Sequence, residues 1–245
     1  MTRPTLRAPT RDEALLLDRH PVFAALPPEA LLELRQAAHL VVLGAGEPLW
    51  HQGQAAHSIG LVVAGRCKWI REDSGKEVIV SVSIPGDLLG AIGFALASSY
   101  SASVICLRRA RILLLPSLVV RRVLQRHSLS LAALASTLAT ETGRLMQMVQ
   151  NLSAGNVERR LASALVSLAE RAGEPFPGGI LIPLRLRRAD LAALAATTLE
   201  SASRTISAWR RRALITPEPA GYLVRDLDAL RALAAGASPG KSGSR

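Results

Sequence analysis

Hydrophobic and polar positions follow two different periods along the chain. Between His39 and Leu115 the apolar residues come in short runs, Leu40–Leu43, Ile59–Val63, Cys67–Ile70, Val78–Ile84, Ser103–Leu107 and Ile112–Leu115. Turn residues separate them: Gly44-Ala45-Gly46, Gly53, Gly65, Asp73-Ser74-Gly75 and Pro85-Gly86-Asp87. Many short strands at regular spacing predict a β-sandwich or barrel. Before this region, Pro27-Pro28-Glu29 opens a short helix over Ala30–Ala38.

From Ser117 the period becomes helical. Over Leu129–Leu152, the residues Leu131, Ala135, Leu138, Thr142, Leu145, Val149 and Leu152 keep the alternating four-three spacing of a heptad seam. A seam of about three heptads is short for a coiled coil, yet it predicts a two-fold dimer interface. Packing of the helix on its own domain is the alternative. Ala154-Gly155-Asn156 interrupts the helix as a hinge with a capping Asn. A further amphipathic helix follows on Leu161, Leu165 and Leu168, then a loop over Gly173–Gly179 and a short strand over Ile180–Leu184.

The stretch 184–227 carries the chemistry. Arg188–Ala195 reads as a short helix with Leu191 and Leu194 buried, and a second helix follows over Leu199–Arg212. Thr197 or Thr198 caps it, and Thr197 with Glu200 has capping-box spacing. Ala202, Ile206 and Trp209 fall on one face. Glu200, Ser203, Arg204, Ser207 and Arg211 fall on the other. Arg204 can give two donors to guanine O6 and N7, and Glu200 can accept from cytosine N4. Ser201, Ser203 and the Thr197 and Thr198 hydroxyls suit phosphate or base edges at the positive end of the helix. Leu214-Ile215, Pro217–Gly221 and Tyr222–Val224 then read as a β-hairpin wing. Helix, turn, polar-faced helix and hairpin in this order predict a winged helix-turn-helix that reads double-stranded DNA. Arg188, Thr197, Thr198, Leu199, Glu200, Ser201, Ser203, Arg204, Ser207 and Arg211 are its expected contact residues.

Charge agrees with this reading. The 245 residues carry a formal charge of +11, and the segment Arg185–Arg212 holds seven arginines and two acids. Such a surplus favours a polyanionic partner. Aromatics are only 3%, so the core must be built from Leu, Val, Ile and Ala. The densest apolar run, Ile112–Val120, is broken by Pro116 and is too short to span a membrane. The N-terminus lacks the apolar stretch of a secretory signal, so a cytoplasmic protein without membrane contact is expected. Cys67 and Cys106 are expected to be reduced core thiols. The sequence offers no glycine-rich nucleotide loop, no metal-ligand cluster and no plausible nucleophile–base pair, so no enzyme is expected.

Four segments resemble the Crp/Fnr family of bacterial transcription regulators: Ala45–Gly53, Val62–Lys68, Pro85–Gly90 and Leu199–Thr205. The resemblance spans Phe23 to Leu233. It implies an α+β protein with an N-terminal jelly-roll β-roll, cyclic-nucleotide-binding-like, as effector domain. A long central dimerisation helix and a C-terminal winged helix-turn-helix complete it. The expected boundaries are 13–127 for the β-roll, 128–154 for the central helix and 155–235 for the DNA-binding domain. Residues 1–12 and 236–245 are expected to be disordered tails.

The resemblance also implies a homodimer on a palindromic operator, with RNA polymerase as a further partner. Glu200, Ser203 and Arg204 match the family's recognition helix in the form found in the Fnr branch, whose targets are similar to TTGAT…ATCAA. Ala196 stands where the turn often has glycine, and Leu199 where other members carry Arg or Val. In members that bind cyclic nucleotides, a Glu holds the ribose and an Arg the cyclic phosphate. Here those positions are Ala91 and Tyr100, and the hydroxyl pair that meets adenine aligns with Leu145-Met146. Leu89, Gly90, Ala91, Tyr100, Ser101, Leu145 and Met146 therefore outline an apolar pocket for an effector other than cyclic AMP.

An iron–sulfur cluster of the Fnr kind needs four thiolates, and two cysteines are present. A haem that senses nitric oxide or carbon monoxide stays open, although none of His20, His39, His51, His57 and His127 lies in a haem motif. A regulatory protein that acts on a protein partner is the other alternative.

Overall fold

A computed structural model describes residues 5–73, 76–153 and 155–236. Two compact units divide the chain, one of residues 1–76 and 80–145, the other of residues 77–79 and 146–245.

The first unit begins with β1 (Thr5–Arg7), α1 (Arg11–Ala14), α2 (Leu16–Arg19) and α3 (Pro28–Ala37). The roll follows: β2 (His39–Leu43), β3 (Pro48–Trp50), β4 (Ser58–Ala64), β5 (Cys67–Asp73), β6 (Lys76–Ser83) and β7 (Leu88–Leu89). Then come α4 (Ala91–Ala95), β8 (Ser103–Cys106), β9 (Ala110–Pro116), α5 (Ser117–Leu124) and α6 (Ser128–Ser153), whose residues from Met146 belong to the second unit. One sheet has the order β1-β2-β9-β4-β7 and the other β3-β8-β5-β6. Val41, Leu43, Val62 and Ile112 pack against Cys67, Val104 and Cys106 in one apolar cluster. The alternate residues Leu40, Ile59, Leu61, Leu113 and Leu115 join Phe23, Leu34, Val120, Val123 and Leu134 in a second. The first sheet is thus covered on both faces, which is why its strands read as unbroken apolar runs rather than alternating ones. At Gly65 (φ +85°) a Cβ would lie 2.5 Å from the Arg109 carbonyl oxygen, so this turn requires glycine.

Residues 5–12 are no tail. β1 pairs antiparallel with β2, Thr5 opposite Val42, and Thr10 and Glu13 close a capping box on α1. The Glu13 carboxylate, buried, accepts from Arg7 (2.8 Å) and Arg111 (2.9 Å) and so ties this strand and helix to β9. Residues 1–4 and 237–245 of the expected tails lie outside the described residues, as do Ala154 of the hinge and the side chain of Leu152.

The second unit contains α7 (Val157–Ala172), β10 (Glu174–Phe176), β11 (Gly179–Ile182), α8 (Arg188–Leu194), α9 (Leu199–Arg211), β12 (Ile215–Glu218), β13 (Gly221–Val224) and α10 (Leu227–Ala235). Asn156 caps α7 by accepting from the Arg159 amide at 2.9 Å. The expected loop 173–179 instead starts with a strand, because β10 pairs with β11. The sheet order is β10-β11-β13-β12. Leu161, Leu165, Leu191, Ala202, Ile206, Trp209, Leu223 and Leu230 are buried in this unit. Leu194, expected in its core, is only half-buried.

Candidate nucleic-acid interface and effector pocket

The helix-turn-helix is built from its caps. Arg187 caps α8 and its amide donates to the Asp190 carboxylate (2.8 Å), which fixes where the helix begins. At the other end, Ala196 N–H donates to Ala193 O (3.3 Å) and Thr197 N–H to Ala192 O (2.9 Å). This is a Schellman turn, and its left-handed position is Ala196 at φ +43°. The Arg160 guanidinium donates to the Ala195 carbonyl at 2.9 Å and ties α7 to the turn. Thr198, rather than Thr197, caps α9 by accepting from the Ser201 amide at 3.2 Å. The expected capping box between Thr197 and Glu200 does not form.

Ala202, Ile206 and Trp209 are buried as the period requires. Trp209 Nε1 donates to Glu158 Oε1 at 2.9 Å, which locks the rotation of α9 against α7. With that rotation set, Arg188, Glu200, Ser203, Arg204, Ser207 and Arg211 line one shallow groove of about 650 Å3. The side chains of Glu200 and Arg204 are 81% and 73% exposed, with Arg204 Nη1 only 3.9 Å from Glu200 Oε1. A loose i,i+4 pair of this kind is weak in water, so both groups stay available to a ligand. Thr198, Leu199 and Ser201 sit on the first turn of α9 beside the groove, with Leu199 exposed. Sequence reasoning missed Thr205, which lines the groove and donates to Ser201 O, and it missed Glu158 and Arg160. Thr205 lies within the matched recognition helix. The other two act across elements and leave no local signal. β12 and β13 form the wing, and Arg225 Nε donates to Thr216 Oγ1 across it at 2.9 Å.

The β-roll holds a cavity of about 210 Å3. Of the expected residues, Ala91, Ser101 and Leu145 line it. Leu89 is wholly buried in the sheet core and Met146 is exposed, so neither does. Gly90 and Tyr100 belong to a separate plug. The Tyr100 ring stacks on Trp50 (centroids 4.0 Å apart, 4° between planes), and its hydroxyl donates to Ser58 O at 2.8 Å. Gly90 passes beneath at φ +77°, where a Cβ would come within 3.1 Å of the Tyr100 ring. Tyr100, which the resemblance sets at the position of the family's phosphate-binding arginine, is thus taken up by a stack with Trp50 and a hydrogen bond to Ser58 O.

The cavity walls are mostly apolar, with Trp69, Ile92 and Leu138 among them. The expectation of an apolar pocket needs amending, because Arg71, Thr137 and Glu141 also line it. Haem is a poor fit: among the described residues no histidine or cysteine lines the cavity. Buried His20 uses Nδ1 to accept from the Val22 amide at 3.2 Å, and burial lowers its pKa. Cys67 and Cys106 are buried directly opposite one another on β5 and β8, with the two Sγ atoms 3.6 Å apart. The thiol contact and burial push Cys67 up, so it stays protonated.

The heptad seam divides in space. Leu131 and Val149 are exposed on α6, as are Ala135 and Thr142. Leu138 and Leu145, expected in the same seam, are half-buried and line the cavity. Helical periodicity alone cannot separate two apolar stripes that lie so close on one cylinder.

A Crp-like helix-turn-helix domain model matches residues 159–233, and a cyclic nucleotide-binding domain model matches residues 40–127. The chain belongs to the Crp/Fnr family of transcription regulators. It is 25% identical over 217 residues to the cyclic AMP receptor protein of Thermus thermophilus, spanning 88% of this chain and 97% of that protein. It is 28% identical over 190 residues to the nitrogen fixation regulation protein FixK of Rhizobium meliloti, spanning 77% of this chain and 83% of that one. The fold is similar to that of FixK2 from Bradyrhizobium japonicum, with a TM-score of 0.72 at 19% identity over 82% of this chain and 99% of that one. This Crp/Fnr regulator thus pairs a β-roll that resembles a cyclic nucleotide-binding domain with a winged helix-turn-helix. The family is one of transcription regulators and not of enzymes. No described helix is long and apolar enough to cross a membrane.

Proposed function

We propose that this Crp/Fnr regulator acts in the cytoplasm as a homodimer on a palindromic operator resembling TTGAT…ATCAA, under control of an effector other than cyclic AMP. RNA polymerase is the further partner. One observation carries the DNA reading: α9 is held by its buried face so that Glu200, Ser203 and Arg204 share a groove with Arg188 and Arg211. Arg204 reads guanine, Glu200 accepts from the opposite cytosine, and Arg188 and Arg211 hold phosphates. The exposed stripe Leu131, Ala135, Thr142 and Val149 supports pairing of α6 with a second copy. A two-fold dimer presents two recognition helices about 34 Å apart, so its half-sites lie one DNA turn apart.

The effector reading rests on Ala91 and on the Trp50–Tyr100 plug. A cyclic nucleotide has about twice the roughly ten non-hydrogen atoms for which a cavity of about 210 Å3 has room. A gel shift of the purified protein on genomic fragments tests the proposal. Retention of a subset of fragments that share an inverted repeat is expected. Equal retention of all fragments, or of none, would leave a regulator that acts on a protein partner.

A further inference from the structure

We propose that the β-roll cavity takes a small monoanion with an apolar body, an aromatic or branched aliphatic monocarboxylate, and that Arg71 receives its carboxylate. This rests on the effector-controlled reading above and names the ligand class. A cavity of about 210 Å3 has room for roughly seven waters, hence for a ligand of roughly ten non-hydrogen atoms. Its walls include Trp69, Ile92 and Leu138, which offer a flat aromatic face and branched aliphatic surfaces. Such walls bind an apolar body by removing it from water.

The polar groups choose the charge. Arg71, on β5, is the one cation among the described lining residues, and no described carboxylate pairs with it. A planar guanidinium matches a carboxylate with two parallel hydrogen bonds. Glu141, on α6, lines the same cavity and is engaged by Arg144 at 3.2 Å. One free cation beside one acid accommodates a single negative charge; a phosphate dianion would meet Glu141 with half its charge unpaired. The Thr137 hydroxyl already donates to Ala133 O at 2.9 Å, which leaves the Ser81 and Ser101 hydroxyls, neutral donors, to meet a further ligand oxygen. A ligand held by Arg71 and packed on Leu138 would join β5 to α6, the helix that carries Leu131 and Val149 on its open side.

The test uses the full-length protein and a panel of phenylacetate, indole-3-acetate, benzoate and 4-methylpentanoate, each beside its primary amide. Calorimetry and thermal shift read binding. At least one acid is expected to bind and raise Tm while its amide does not. Arg71→Gln should weaken that acid at least about tenfold, and Arg71→Lys should keep part of the affinity. Arg71 is exposed, so both variants should fold and keep their unliganded DNA affinity. Amides that bind as well as acids, an unaffected R71Q, or no binding by any acid would each overturn the proposal. Loss of sequence-specific DNA binding would strike the regulator reading instead, and calorimetry would still decide the pocket.

Discussion

At the scale of single residues, the proposed DNA contacts give different work to the arginines that line the groove. Arg204 projects from the middle of α9 with its partner Glu200 loosely held, and a bidentate guanine contact discriminates by about 1–3 kcal/mol. Arg204→Ala should weaken operator binding by that amount per half-site and relax selectivity at one base pair. Fluorescence anisotropy at fixed salt, on the consensus and on guanine-substituted sites, checks this. An equal loss on every sequence would make Arg204 a phosphate contact. Arg211→Ala should weaken specific and non-specific binding alike and flatten the salt dependence. Backbone strain gives a second prediction. Ala97, Ala196 and Ala213 all stand at positive φ, at 50°, 43° and 53°. Each follows a helix end at the left-handed position of a Schellman turn, where a Cβ is unfavourable. Ala196→Gly should stabilise the second unit by about 0.5–1 kcal/mol, after the extra freedom of glycine in the unfolded chain is subtracted. Urea unfolding followed by Trp209 fluorescence measures it.

Elements are tied by a few polar contacts whose strength depends on pH. Arg7 holds the Glu13 carboxyl down to about 2, with help from the Thr10 amide. A depressed carboxyl contributes stability above its unfolded pKa of 4.5, and that stability is lost as pH falls through 4.5 towards 2. Glu13→Gln should therefore destabilise the first unit near neutral pH, and the difference from the parent should shrink steadily below pH 4.5. Thermal melts across that window decide it; a difference independent of pH would mean that Glu13 acts only through packing. On α6, the two apolar stripes make a separate prediction. Leu131→Glu with Val149→Glu places like charges on the open stripe and leaves the cavity side untouched. Sedimentation should show a folded monomer. Substitution at Leu138 or Leu145 would damage the cavity as well, and so would not isolate the interface. A folded dimer in the double variant would move the contact to another surface.

For the molecule as a whole, the question is which ligand sets DNA affinity. Tyr100 stacks on Trp50, Ala91 offers no polar side chain, and a cavity of about 210 Å3 has room for roughly half the non-hydrogen atoms of a cyclic nucleotide. Cyclic AMP and cyclic GMP should give no heat in titration calorimetry at cellular concentrations and leave operator affinity unchanged. Micromolar binding that also tightens the operator complex would show that the plug moves aside. The chain's +11 charge adds a sequence-independent attraction to DNA. Apparent affinity should therefore fall steeply with salt for operator and random DNA together, while their ratio changes little.

Local pattern was enough for much of this protein. The strand runs of the roll, the polar face of α9 and the wing hairpin depend on side-chain period and turn residues within a dozen positions, and those are written in the chain itself. Ala202, Ile206 and Trp209 lie where a 3.6-residue period puts them. Tertiary structure decided what depends on distant partners. The strand at Thr5–Arg7 exists because β2 offers an edge and Glu13 collects Arg7 and Arg111, none of which a tail-like composition announces. The α6 heptad split because β-roll side chains claimed Leu138 and Leu145 and left Leu131 and Val149 open. The pocket changed most. Tyr100 turned away onto Trp50, Leu89 sank into the core, and Arg71 came in from the far end of β5, where no local motif marks a ligand-binding residue. Periodicity reports which side of an element is apolar. Only packing determines which neighbour covers it and which charge is left without one.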